Sequence, residues 1–180
     1  LRASLLLVYA GNSAEDRTNC EVIAQAAKEA GMRLRGSISC SFGCPYEGAV
    51  APSNVLKVGK RLIELGCDEI DVADTIGVGT ARQVYEVMRM VTEHIDPIHV
   101  SGHFHDTYGQ AIANIVASMQ AGIHIFHSSV AGLGGCPYAK GATGNLATED
   151  LVWMLDGLGV ETGVDLEALA ATSATASPAQ

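Results

Sequence analysis

"IHVSGHFHDTYGQAIANIVASMQAG", Ile98 to Gly122, changes its period halfway along. Up to His105 apolar and polar residues alternate, the two-residue repeat of a strand. From Asp106 to Gln120 the apolar residues Ile112, Ile115, Val116 and Met119 recur at helical spacing, so the stretch predicts a strand and then a helix. The same unit recurs on both sides. Towards the N-terminus, "SLLLVY" reads as a buried strand, Ser13 to Ala30 as a helix, and "MRLRGSISC" as a strand before the turn-rich "SFGCPYEG". Ser53 to Leu65 is a helix, opened by Pro52 and Ser53 and stopped at Gly66. "CDEIDVAD" is a strand, and Thr80 to His94 a helix whose core face is Val84, Val87, Met88 and Val91. Towards the C-terminus, "IHIFHSSV" is a strand, a glycine-rich loop follows, and a helix runs from Thr148 to Leu158.

About five βα units therefore follow one another, which demands parallel strands with helices outside. An open doubly wound sheet and a (β/α)8 barrel both satisfy that pattern. No G-x-G-x-x-G follows the first strand and no Walker motif is present, which weighs against a nucleotide-binding open sheet. Polar residues gather where successive strands end: Ser39, Asp74, His103, His105, Ser128 and Ser129. Barrel enzymes place their chemistry at that rim. The expected fold is thus α/β, part of a (β/α)8 TIM barrel. A complete barrel takes about 250 residues, so 180 residues are expected to hold a C-terminal portion of about five units. The barrel portion is expected over residues 1–172, with the small-residue stretch 173–180 as a disordered tail.

Composition narrows the function classes. Hydrophobic residues make up 48% and aromatics 5%, the profile of a packed α/β domain rich in small aliphatic side chains. A net charge of −9 with no run of Lys or Arg excludes a basic nucleic-acid surface. No apolar run reaches the length of a membrane-spanning helix, so neither nucleic acid nor membrane is expected as a partner. The five cysteines, an odd number, read as reduced thiols, and Cys40 and Cys44 lack the second pair a zinc ribbon needs.

His103 and His105 stand two apart on a strand, so both imidazoles face one side. They can grip one metal ion, or each can be a hydrogen-bonded histidine. Asn145, after the loop "AGLGGCPYAKGATGN", offers a hard amide oxygen suited to Mg2+ or Mn2+, or only closes a Gly-Asn turn. Cys136 lies in that loop beyond Gly132, Gly134 and Gly135; its thiol can serve as acid, base or nucleophile, or as a small buried group. Cys44 shares the tetrapeptide Gly-Cys-Pro-Tyr with fewer glycines and reads as a turn. Asp74 either meets substrate at the rim or caps its own turn. Asp71, three residues earlier, is expected on the helix side or at a strand edge. Glu149 either serves activity or stabilises a helix N-terminus.

The segments "GCPYEG", "DTIGVGT", "HFHDTYGQAIAN", "SSVAGLGGCPYAKGATGNLATEDLV" and "MLDGLGVETGVDL" occur in this order. Together, from about Arg35 to Leu166, they resemble the 3-hydroxy-3-methylglutaryl-CoA lyases, for which the "VAGLGGCPYA" loop is close to a signature. The resemblance implies a metal-dependent barrel that cleaves 3-hydroxy-3-methylglutaryl-CoA to acetyl-CoA and acetoacetate, as in leucine degradation and ketone-body formation. It implies His103, His105 and Asn145 as ligands of Mg2+ or Mn2+. It implies catalytic parts for Cys136, His103, Asp74 and Glu149, with Asp74, Gly134 and Gly135 against the acyl-CoA substrate. A homodimer in bacterial cytosol or mitochondrial matrix is the matching expectation.

Two departures stand out. The family's first strand ends in an Arg-Asp pair that nothing before "SLLLVY" supplies, as though three βα units were missing. His127 occupies a place where the family usually has an acid, and is expected to make the mouth more positive. The chain alone is therefore expected to be a poor or inactive lyase. Two other readings compete: an acyltransferase of the isopropylmalate synthase kind, against which the Cys136 loop argues, and a non-catalytic metal-binding fragment that associates through open barrel edges.

Overall fold

A computed structural model describes residues 4–9, 14–135 and 144–176, with side chains from 19 to 135 and 144 to 175. Five strands, β1 (Ser4–Tyr9), β2 (Arg33–Ile38), β3 (Glu69–Asp74), β4 (Val100–Phe104) and β5 (Ile125–His127), form one sheet. All neighbours pair in parallel, and their spatial order is the chain order β1-β2-β3-β4-β5. Among the described residues no strand is inserted out of turn, so they contain no switch point of the doubly wound kind; successive strands in unbroken order are the wall of a barrel. Helices α1 (Ala14–Glu29), α2 (Pro52–Glu64), α3 (Ala81–Thr92) and α4 (Ala111–Gln120) connect the strands, and α5 (Thr148–Gly157) and α6 (Leu166–Ala176) follow the last one.

The register sorts the side chains. Arg35 pairs with Glu69, Asp71 with Ser101, and His103 with Ala73 and His127, so these residues share one face. The opposite face carries Leu34, Ile38, Ile70, Val72, Val100 and Phe104, all buried against helices. Leu62 of α2 and Val84, Val87, Met88 and Val91 of α3 fill that layer, as the helical spacing predicts. The polar face is concave. In a flat sheet β2 and β5 stand three spacings apart, about 14 Å, yet Arg35 Nη1 lies 3.0 Å from His127 Nε2.

Element boundaries differ from expectation where a side chain takes over a backbone group. The helix expected from Asp106 begins at Ala111, because Asp106 Oδ1 accepts a hydrogen bond from the Ala111 N–H at 3.0 Å and residues 106–110 form the turn before it. The strand expected through Val130 ends at His127, since Ser129 pairs by backbone hydrogen bonds with Leu146 and Thr148 instead. Residues 173–176, expected in the tail, continue α6; residues 177–180 lie outside the described part. Cys44 closes the "GCPYEG" turn through reciprocal backbone hydrogen bonds with Gly48, at 2.8 and 2.9 Å. Among the described residues no helix is long and apolar enough to cross a membrane.

Candidate metal centre

Two layers of side chains sit on the concave face. The upper layer lies at the C-terminal ends of the strands, where the glycine loop returns. His103 Nε2 is 3.1 Å from Asn145 Oδ1, and the rings of His103 and His105 are 5.2 Å apart. Two residues 42 apart in sequence therefore meet. The Asn145 amide is fixed by its other end: Nδ2 donates to the Leu133 carbonyl at 2.9 Å, which turns Oδ1 toward His103. His105 Nδ1 donates to the Asp74 carbonyl at 3.0 Å. The carbonyl only accepts, so the bare lone pair of His105 is on Nε2. Burial holds His103 below its ordinary pKa; Asp71 opposes that effect, and the neighbouring His105 and His127 add to it. Neutral imidazoles and an amide oxygen are a donor set that a divalent first-row ion accepts.

The loop is shaped around Asn145. Gly132 has φ +64°, and a Cβ there would meet the Asn145 carbonyl oxygen at 2.9 Å. A Cβ on Gly144 would meet the Gly132 carbonyl oxygen at 2.6 Å. Glycine is required by this close passage of backbone past backbone. Glu149, in the first turn of α5, accepts from the Ala131 N–H through both carboxylate oxygens, at 3.1 and 3.0 Å. Ala131 itself has φ +54°, a left-handed conformation that this bond helps to hold. Gly134 and Gly135 lie exposed at the end of the described loop; Cys136 lies outside the described residues.

Asp74 is fully buried, and its carboxylate accepts from the backbone N–H groups of Val78 at 3.1 Å and Gly79 at 2.9 Å. Burial raises its pKa, with the bonds from Gly79 and Val78 opposing. It caps its own turn, the second of the two readings. A cavity of about 550 Å3 opens beside this layer, lined by Arg35, His103, His127, Ser129, Asn145 and Thr148 among others.

The lower layer was not anticipated. Asp71, expected on the helix side or at a strand edge, is 1% exposed and faces the concavity: its Oδ2 lies 3.8 Å from His103 Nδ1 and 3.5 Å from His127 Nδ1. The signal was available in "EIDVAD", since Ile70 and Val72 must face the helices and Asp71 therefore cannot. By the same parity Asp74 points to the helix layer. His127, expected to make the mouth more positive, instead has Nε2 2.8 Å from Glu69 Oε1. Burial lowers its pKa, yet Asp71 and Glu69 outweigh that and the net shift is upward. The His127 hydrogen bond holds Glu69 down at about 2 against burial, with the Ser101 hydroxyl adding to it. Asp71, His103 and His127 each offer one ligand atom within 4.8 Å of the others, an arrangement that could hold a metal ion.

The HMGL-like family pattern matches residues 9–176, nearly the whole chain. The chain belongs to the HMGL-like family. A zebrafish (Danio rerio) relative named 3-hydroxy-3-methylglutaryl-CoA lyase, cytoplasmic, is 56% identical over 146 residues, covering 81% of this chain and 44% of its own. The crystal structure of hydroxymethylglutaryl-CoA lyase from Pseudomonas aeruginosa superimposes with a TM-score of 0.85 at 44% identity, covering 92% of this chain and 58% of that one. An HMG-CoA lyase from Acinetobacter baumannii, in complex with coenzyme A and 3-methylmalate, gives a TM-score of 0.88 at 32% identity over 96% of this chain and 59% of that one. This HMGL-like chain thus spans about half the length of the curated relatives it matches. The partial (β/α)8 barrel read from the sequence is the fold of its family.

Proposed function

We propose that this HMGL-like chain carries the metal-and-thiol side of a lyase site that cleaves 3-hydroxy-3-methylglutaryl-CoA to acetyl-CoA and acetoacetate. The observation that supports the reading is the meeting of His103, His105 and Asn145 beside an open cavity at the rim. The names of the similar proteins agree with it. His103, His105 and Asn145 would hold Mg2+ or Mn2+. The ion, when bound, supplies Lewis-acid polarisation of the substrate hydroxyl and acyl oxygens.

The chain's own residues have distinct tasks. Cleavage removes the proton of the tertiary hydroxyl, breaks the bond between the hydroxyl-bearing carbon and the thioester's α-carbon, and leaves acetoacetate and an acetyl-CoA enolate. The enolate carbon then takes a proton. His103 is assigned the removal of the hydroxyl proton; burial lowers its pKa, which favours the neutral form that can ligate or take a proton. Cys136 is assigned the protonation of the enolate carbon. Gly134 and Gly135 let the loop approach the acyl-CoA. Glu149 is a positioning residue, acting through Ala131 on the loop's entry, and Asp74 positions the rim through Val78 and Gly79. A homodimer in cytosol or mitochondrial matrix belongs to the same reading.

A coupled assay of acetoacetate release with Mg2+ or Mn2+ tests this. Cleavage by the chain that falls by about a hundredfold or more in both Cys136→Ala and His103→Ala supports it. No cleavage under either ion, from a chain that is folded by circular dichroism, leaves the non-catalytic metal-binding reading in its place.

A further inference from the structure

We propose that Asp71, His103 and His127 form a second divalent-metal site one layer below the rim, built for a nitrogen-preferring ion of the Zn2+ or Co2+ class. The site does not depend on the lyase reading, because none of its ligand atoms comes from His105, Asn145 or the glycine loop.

Three buried or half-buried side chains converge there, each offering one ligand atom. Asp71 Oδ1, His103 Nδ1 and His127 Nδ1 are all buried, and none has a hydrogen-bond partner among the described residues. Asp71 itself is 1% exposed. The tautomers follow from the other ring atoms. His103 Nε2 donates to Asn145 Oδ1, whose identity the Leu133 contact fixes, so His103 Nδ1 carries the lone pair. His127 Nε2 lies 2.8 Å from Glu69 Oε1 and 3.0 Å from Arg35 Nη1; in the tautomer that donates to Glu69, His127 Nδ1 carries the lone pair as well. Leaving these three buried polar atoms without partners is costly, and a cation placed among them removes the cost. Arg35 approaches Asp71 only from the side. Its Nη1 lies on the Nε2 side of His127, 3.0 Å away, and its Nε is 3.9 Å from Asp71 Oδ2.

The spacing suits an ion. Donors about 2.1 Å from one metal stand roughly 3.0–3.4 Å apart. Asp71 Oδ2 is 3.5 Å from His127 Nδ1 and 3.8 Å from His103 Nδ1, so closure by a few tenths of an ångström is enough. Two imidazoles and one carboxylate favour Zn2+, Co2+ or Fe2+ over Mg2+. Glu69 and Asn145 orient the two rings from behind, as carboxylates and carbonyls do behind metal-bound histidines. Both layers draw on His103 through opposite nitrogens, so one neutral imidazole serves one layer at a time.

Calorimetric titration of the whole chain with Zn2+ tests the site. Asp71→Asn and His127→Gln should each weaken Zn2+ binding by about tenfold or more, while His105→Ala should leave it within about twofold. Unchanged affinity in both Asp71→Asn and His127→Gln, or loss of binding in His105→Ala, overturns the proposal. Should neither inner variant fold, the wild-type chain decides. In cadmium-loaded protein with labelled histidine nitrogens, metal coupling to the Nδ1 atoms of His103 and His127 supports the site. Coupling to Nε2 of His105 instead, or to no imidazole, overturns it. Failure of acetoacetate release bears only on the upper layer and leaves these outcomes readable.

Discussion

Glu149 shows how much a single side chain settles at the rim. Its two oxygens hold the Ala131 N–H, and Ala131 is one of two described non-glycine residues with positive φ. Glu149→Gln weakens a charge-assisted bond worth about 1.5–3 kcal/mol, and the left-handed Ala131 then has less to hold it. We expect the Ala131 amide to exchange with deuterium faster while amides of the inner strands are unaffected; equal rates would show that the loop is held elsewhere. Whether Glu149 serves the loop or only its helix could not be read from "ATED", because both tasks use the same residue at the same place. Asn145 was similarly ambiguous in "GATGN", and presents its acceptor oxygen to His103 only when the Leu133 carbonyl orients its amide.

At the scale of elements, the apolar layer between strands and helices holds the concave face in position. Leu62 of α2 is fully buried and lies against Gly36 of β2, where an added Cβ would sit 2.9 Å from the leucine methyls. Leu62→Ala should lower the unfolding free energy by about 2–5 kcal/mol, shifting the denaturant midpoint with little change in slope. A loss below about 0.5 kcal/mol would mean that α2 is not fixed to the sheet at this point. Helix α3 was legible because Val84, Val87, Met88 and Val91 repeat at helical spacing and bury as a stripe. The alternation of β3 is just as explicit: Ile70 and Val72 pack on the helices, so Asp71 faces the concavity rather than the helix side or a strand edge.

For the whole molecule, Cys67 links packing to solution conditions. Its thiol, 5% exposed at the base of β3, is pushed up from 9.0 to about 11, first by burial and then by Asp68, with Lys28 opposing and Cys20 adding. The folded thiol ionises later than the unfolded one. Its contribution to stability is therefore complete below pH 9.0 and drains away as pH rises toward about 11. Cys67→Ala should flatten the alkaline limb of a stability profile measured by chemical denaturation, and native Cys67 should resist alkylation at pH 8. Rapid labelling at that pH, or an unaltered alkaline limb in the variant, would show that the thiol is not held in this environment.

The sequence by itself determined that strands and helices alternate, which helix faces are apolar, and that His103 and His105 share a side of their strand. Those are local matters, set by backbone periods of two and of 3.6 residues. It also carried the ordered motifs that place the chain with its family. Only the tertiary structure decided that the polar face is concave, that Asn145 meets His103, and that Glu69, Asp71 and His127 gather beneath them. Such contacts span 42 to 92 residues of chain or join neighbouring strands in register, and depend on how the sheet curls. Curvature is a property of paired strands and packed helices together, and no single segment encodes it.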